Sequence, residues 1–485
     1  MYEVFTIGGG EYVVNTMNAV AAWTGNGGFR SLLRVVMVMG LIYSLCVMAF
    51  NLEWRSTFRW FLQTTLIYAC LMVPTVTVRV TDRVNPGLAP STVANVPLGL
   101  GVMASFTSQM SDWLVRQAET VFVMPGALQY SNGGIVYGAK MWEKVNTFEF
   151  KDPVFKYNLD TYMKNCVFMD IVMGLRSLKT LQDSTNLWAD IGTNAAVNRG
   201  VKYMVDNGAT ADFVGMTCQG AYNAMNAYLV GAEPAEIQQF AQMVFADKPP
   251  ATALAKLNAD VPVIGNFATG NGQAANQLFR QKSVIDAFAQ AQTNFGNDEA
   301  DIFAAHRAEV QARNVFVGVT EKAMTWVPIL QIVLTIVFYA MFPVLFPLFL
   351  FPNTGLATLK GYLSGFFYLA AWGPLYVLLH MFVMDRFASE MQSVANGGMT
   401  LNNFAGIQAV NSDTATIAGF MMMSVPVLAG MLARGAMAAS SSAASWLAPV
   451  QSGAEASAVE RTTGNYAFGN TSYENLTANN KQMGQ

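Results

Sequence analysis

Charge is scarce in this sequence. Only 12% of its 485 residues are Asp, Glu, Lys or Arg, against about 25% in an ordinary soluble domain, while 53% are hydrophobic. That shortage excludes a uniformly water-soluble chain, and it is uneven: uncharged runs crowd both ends, and the middle keeps the density of acids and bases that soluble folds carry. Histidine and cysteine number two and four, and no C-x-x-C or zinc spacing occurs, which leaves little for metal chemistry. No G-x-x-x-x-G-K-[ST] loop is present to cradle the phosphates of a motor ATPase. The net charge of −3, with no Lys/Arg stripe, argues against direct tracking of nucleic-acid phosphates, whose affinity comes from clustered cations. Residues 1–28 lack a basic segment ahead of an apolar run, so no cleavable signal is expected.

What the sequence does have is long apolar stretches. Residues 324–351 contain no Asp, Glu, Lys, Arg or His, and as a helix they extend roughly 42 Å against a hydrocarbon core of about 30 Å. Only a helix or a closed barrel hides its backbone polar groups in lipid, and the absence of period-2 alternation selects the helix. Pro343 and Pro347 lie inside the run and predict a kink or break whose freed carbonyls need partners. Further spans are expected over 35–52 and 60–78, forming a hairpin, and over 361–384 and 414–433. The fold class expected is an all-α polytopic membrane protein, with about five transmembrane helices and a large, mainly helical periplasmic domain between helices 2 and 3.

The organisation follows from these runs. Residues 1–30 form an N-terminal periplasmic or interfacial segment, in which Val13, Met17, Val20 and Ala21 share one helical face. A transmembrane hairpin covers 31–78, the periplasmic helical domain 79–323 and three transmembrane helices 324–434. Within the central domain, 86–97 is punctuated as a loop, and 98–115 is moderately apolar but carries Asp112, so it lies along the interface or re-enters rather than spans. Helical periodicity is expected over 285–295 and 299–326. Residues 435–485 are an Ala/Ser-rich linker and a tail in which Asn465, Asn470, Asn475 and Asn480 recur every five residues. Such a tail reads either as disordered or as coils of a β-solenoid.

Polar groups inside the spans are the candidate functional residues. Gln63, Gln331 and His380 would face partners, the bundle interior or an aqueous lumen, because buried polar and ionisable groups in lipid need company. Cys46 and Cys70 fall in the first hairpin as packing residues. Cys166 and Cys218 are the two cysteines of the central segment, and an oxidising compartment would join them. No catalytic residue, metal or cofactor is expected.

Several motifs, in order, resemble one family. They are Tyr2-Glu3-Val4-Phe5-Thr6-Ile7-Gly8-Gly9-Gly10-Glu11, Asn95-Val96-Pro97-Leu98-Gly99, Lys151-Asp152-Pro153, Asn165-Cys166-Val167, Thr217-Cys218, Trp326-Val327-Pro328, Phe342-Pro343, Lys360-Gly361-Tyr362 and Trp372-Gly373-Pro374. Together they are similar to the N-terminal region of TraG-type conjugative transfer proteins, the mating-pair stabilisation proteins of F-like type IV secretion systems. The resemblance implies an inner-membrane structural subunit acting in pilus assembly, mating-pair stabilisation and DNA transfer, as a platform or conduit component. The implied partners are other type IV secretion subunits, membrane lipid and further copies of the chain in a homo-oligomeric ring. Members of that family are longer, so contact with an exclusion protein is expected only through a C-terminal region beyond Gln485. The alternative from another class is a polytopic transporter or channel for a small solute, which requires internal repeats and broken helices meeting at a midplane site.

Loop cations set the expected orientation. Arg55, Arg59, Lys360 and Arg434 fall on one side of a five-span chain, which the positive-inside rule assigns to the cytoplasm, although Arg30 and Arg34 precede the first span. Alkaline phosphatase fused near Gly208 should therefore be active, and fluorescence from a cytoplasm-only reporter at that site would overturn the orientation.

Overall fold

The computed structural model describes residues 2–51, 54–83, 90–122, 124–192, 199–206, 211–246, 248–293, 326–434, 466–468 and 471–473. In chain order the main elements begin with strand β1 (Tyr2–Thr6) and helices α1 (Gly10–Gly25), α2 (Gly27–Asn51) and α3 (Trp54–Ile67), the last prolonged by a π turn, Tyr68–Met72. Strands β2 (Thr75–Asp82) and β3 (Ser91–Pro97) and helices α4 (Leu98–Val121), α5 (Tyr137–Asn146) and α6 (Pro153–Tyr162) follow. Next come β4 (Gly200–Asp206), β5 (Ala211–Thr217), α7 (Cys218–Val244), α8 (Pro250–Thr269) and α9 (Ala275–Thr293). The C-terminal half of the chain supplies α10 (Trp326–Ala340), α11 (Phe342–Phe349), α12 (Gly355–Ala395) and α13 (Phe404–Arg434), then the short pair β6 (Tyr466–Phe468) and β7 (Thr471–Tyr473).

Two compact units are formed, one drawn from Met1–Ile135, Gly318–Met381 and Ala418–Glu455, the other from Val136–Val317, Phe382–Ile417 and Ala456–Gln485. The first is built on a three-stranded sheet in the order β1-β2-β3. β1 runs parallel to β2, with Tyr2 opposite Val78 and Thr6 opposite Asp82, and β2 is antiparallel to β3 with a bulge between Val76 and Val78. Val4, Val78, Val80, Val93 and Val96 turn inward and meet Val13, Met17 and Val20 of α1 in one core. The apolar face of α1 expected at an interface is thus spent on the sheet.

The expectation of an all-α chain is corrected by these strands. In Thr75–Asp82 the valines at 76, 78 and 80 alternate with Thr, Thr, Arg and Thr, a period-2 pattern that an adjoining apolar run obscures. The second span expected over 60–78 accordingly stops being helical at Met72. Likewise the loop expected over 86–97 contains β3, and the stretch 385–413 left between the last two expected spans narrows to 396–403 outside helices, because α12 and α13 continue through its ends. Among the described residues, three helices are long and apolar enough to cross a membrane: Gly27–Phe50, Gly355–Ala395 and Phe404–Ala433. A fourth span results if Trp326–Ala340 and Phe342–Phe349, bent by 47° at their junction, are one. The helix expected over 299–326 and most of the tail lie outside the described residues, the β6–β7 pair excepted.

The second unit is mainly helical, with the β4–β5 hairpin against α6. Its core is aromatic: Phe148 stacks on Phe279 at 4.1 Å and meets Phe150 and Phe240 edge-on. Cys166 and Cys218 are joined in a disulfide across a sequence separation of 52, a loop closure worth about 4 kcal/mol in the chain-entropy account. Cys46 and Cys70 are free and exposed. Alkylation of unreduced protein should modify those two cysteines alone, read by peptide mass spectrometry; alkylated Cys166 and Cys218 would show that the bridge does not form.

Candidate functional site

The first unit holds its N-terminal strand at a joint where sheet and apolar helices meet. Gly8 and Gly9 adopt left-handed φ values of 83° and 72°, which glycine reaches without a Cβ penalty. The turn aims two amides at one carboxylate: Gly8 N donates to Asp82 Oδ1 at 3.0 Å and Gly10 N to Asp82 Oδ2 at 3.1 Å. A Cβ on Gly9 would lie 2.7 Å from Ile332 Cγ2 of α10, so the turn is also the close contact between strand and helix. The free edge of β1 is covered by side chains of α4 instead of a fourth strand. Ser105 Oγ and Gln109 Nε2 donate to Glu3 O at 2.8 and 3.1 Å, and Phe5 N donates to Ser108 Oγ at 3.3 Å.

The bend between α10 and α11 falls where Pro343 enters the first turn of α11, a position that needs no amide hydrogen. Carbonyls near such a break require donors if the region lies in lipid. Tyr362 Oη donates to Phe338 O at 2.7 Å, one turn before the break. At the far end of α11, just after Pro347, Leu350 O accepts from Trp60 Nε1 at 2.9 Å and from Thr64 Oγ1 at 3.4 Å, both on α3. α3 in turn lies against α2, where the ring of Trp60 occupies the space a side chain at Gly40 would fill.

Gln331, expected to face a partner, the bundle interior or a lumen, lines a cavity of about 90 Å³ with Thr6, Thr107, Ser111 and Thr335, polar and roomy enough for water. Gly373 closes its rim, since a Cβ there would stand 2.4 Å from Ser111 Oγ on α4. His380 is fully buried, its Nε2 lies 2.8 Å from Leu128 O, and its ring lies beside that of Tyr130. It therefore fastens α12 to the segment that follows α4. Gln63 is half-buried on α3. The structure does not bring Gln63, Gln331 and His380 together.

In the second unit the motif residues cap and tie elements. Asp152 caps α6 through Val154 N at 2.7 Å and Phe155 N at 3.3 Å, with Pro153 in the first turn. Thr217 Oγ1 caps α7 through Gly220 N at 3.1 Å, and the disulfide begins at the next residue. Behind the bridge, the buried Asp170 carboxylate pairs with Arg199 at 2.9 Å and Arg176 at 3.7 Å; deleting either partner of a buried pair costs about 3–5 kcal/mol. Arg280 reaches Glu233, a hydrogen bond that raises the arginine's pKa further. Burial and hydrogen bonds to Asp260 and Asp152 hold the hydroxyls of Tyr137 and Tyr228 protonated, their pKa values raised well above the ordinary phenol. Both tyrosines thus donate to those carboxylates. Sequence reasoning missed Asp82, Asp170 and Tyr362 as tying residues, because most of their partners are remote in sequence and unremarkable in type.

Comparison with known proteins gives one family. A family model described as "TraG-like protein, N-terminal region" matches residues 3–455. Protein TraG of Escherichia coli (strain K12) is 26% identical over 485 residues, covering 98% of this chain and 50% of that protein. The chain thus spans about half the length of the curated relative it matches. No solved structure matches it.

Gly373→Leu should displace α4 from α12 and lower the thermal midpoint of detergent-purified protein by several degrees, an overpacking cost of about 1–3 kcal/mol. Adding Ser111→Gly should recover part of the loss; if the double variant is no better than the single one, the two positions do not form the contact described.

Proposed function

This chain belongs to the TraG-like family, matching its N-terminal region, and on that premise we propose that it is a non-catalytic, inner-membrane structural subunit of a conjugative type IV secretion system. In this reading it serves pilus assembly, mating-pair stabilisation and DNA transfer as a platform or conduit component, with five membrane passes and the segment from 79 to 323 in the periplasm.

One observation carries the membrane part of the reading: the parallel pairing of β1 with β2 around the α2–α3 hairpin. Strands in one ladder lie on one side of any membrane that α2 crosses, so α3 with its π turn must cross back. Trp54–Met72 makes 19 helical residues, about 28 Å of rise, which is consistent with a short return pass. Contacts along the remaining helices agree in direction. Gly9 beside Ile332 and Leu350 beside Trp60 run α10–α11 from the sheet toward the α2–α3 turn. α12 then returns, with Tyr362 near Phe338 and Gly373 near Ser111, and Ser364 meets Ala433 of the antiparallel α13. The Cys166–Cys218 bridge suits an oxidising compartment.

Association of copies into a ring belongs to the same proposal. α2 leaves Leu32, Val35, Val38, Met39 and Ile42 exposed, a face open to lipid or a neighbouring subunit. A solute transporter is the weaker reading. Its broken helices bind cargo with freed backbone groups, whereas here Phe338 O, one turn before the break, is taken by Tyr362, and Leu350 O, at the far end of α11, by Trp60 and Thr64.

In-frame deletion of residues 1–485 in the donor should abolish pili and lower transfer frequency by orders of magnitude, with recovery on complementation. Normal conjugation together with a lost solute uptake would transfer the chain to the transporter class.

A further inference from the structure

Helix α4 is divided into three arcs. Leu100, Ala104, Thr107 and Val115 are buried against the sheet and the helices of the first unit. A second arc is polar, with Ser105, Gln109, Asp112 and Arg116 following one another at helical spacing. Asp112 receives Arg83 at 3.0 Å and Arg116 at 3.1 Å, so two guanidiniums share one carboxylate and a positive charge is left over. The third arc is apolar yet open: Val102, Phe106, Trp113 and Leu114 are 39%, 57%, 59% and 38% exposed.

The position of that apolar arc says what covers it. The Phe106 ring lies edge-on to Phe367 of α12, 6.4 Å between centroids. Phe367 is twelve residues beyond the start of α12 at Gly355, about 18 Å along a helix whose crossing of the hydrocarbon takes about 30 Å. With Leu363, it belongs to the exposed side of that helix. The open arc of α4, Trp113 included, therefore continues the side of a membrane-crossing helix that meets acyl chains, while Arg116 on the polar arc has the chemistry of the headgroup boundary.

We infer that α4 lies in the plane of the membrane surface on the side of the three-stranded sheet, with Val102, Phe106, Trp113 and Leu114 among the acyl chains and the Gln109–Arg116 arc toward headgroups and water. The partner is the lipid surface itself, and an in-plane amphipathic helix of this kind sinks about 5–10 Å into the boundary. Part of the sheet's support is then the bilayer: the helix that seals the edge of β1 through Ser105, Ser108 and Gln109 floats on it. This inference rests on α12 crossing a membrane and is independent of any role in conjugation.

Nitroxide labels test it in the full chain reconstituted into nanodiscs, with Cys46 and Cys70 replaced by alanine. Single labels at 102, 106, 113 and 116 are compared for collision with oxygen, which partitions into lipid, and with a water-soluble nickel chelate. Oxygen collisions should exceed nickel collisions severalfold at 102, 106 and 113, and the order should reverse at 116. Nickel access at 106 and 113 equal to that at 116 would overturn the proposal. So would shielding of these positions from both reagents, which would mean that a second copy or another protein covers the arc. Retention of the Cys166–Cys218 bridge and of a single elution peak identifies folded variants, and the several apolar positions keep the comparison informative if one label is not tolerated.

Discussion

The parallel ladder between β1 and β2 is the constraint on which the first unit depends. Parallel neighbours cannot be joined by a tight turn and need a long crossover; here the crossover is α1, α2 and α3, the second of which is long and apolar enough to span a membrane. A helical hairpin is therefore threaded between two strands that must end side by side. Everything near the ladder serves to hold that arrangement: Asp82 anchors the glycine turn after β1, α1 covers the valine face, and α4 covers the outer edge of β1, which would otherwise be open to other chains.

A second constraint governs the apolar helices. Backbone groups freed by a break in lipid have no water to turn to, and at this break the donors come from neighbouring helices. Tyr362 serves Phe338 O just before the break, and Trp60 and Thr64 serve Leu350 O at the far end of α11. The close approaches at Gly9, Gly40 and Gly373 have the same logic, since each glycine admits another element's side chain where a Cβ would collide. Several residues that carry the family resemblance are joints of this sort. Asp152 and Thr217 cap helices, Cys166 and Cys218 tie them, and Tyr362 and Gly373 fit α12 to its neighbours.

How far the sequence could be read depended on whether the relevant physics was local. Uncharged length is local, and the runs at 35–52, 324–351, 361–384 and 414–433 fall on α2, α10–α11, α12 and α13. The proline break was legible for the same reason, because a missing amide hydrogen acts within one turn. The strands were not: Thr75–Asp82 abuts a helical apolar run, so its alternation was absorbed into an expected span. The roles of Gln331 and His380 were also out of reach, because a polar residue in a span faces a lumen or a private partner according to packing that only the fold supplies. The pairing of β1 with β2, between segments more than seventy residues apart, left no short-range signal.

That separation has a consequence for how the chain is made. β1 leaves the ribosome before the α2–α3 hairpin, and its partner Val78 follows only after the whole hairpin has been synthesised. The strand must wait unpaired, and closing so long a loop is slow compared with local helix formation. Hairpin insertion thus acts as the gate for sheet assembly. A chain whose hairpin stalls leaves β2, with its row of valines and the edge meant for β1 open, as a ready template for the wrong strand.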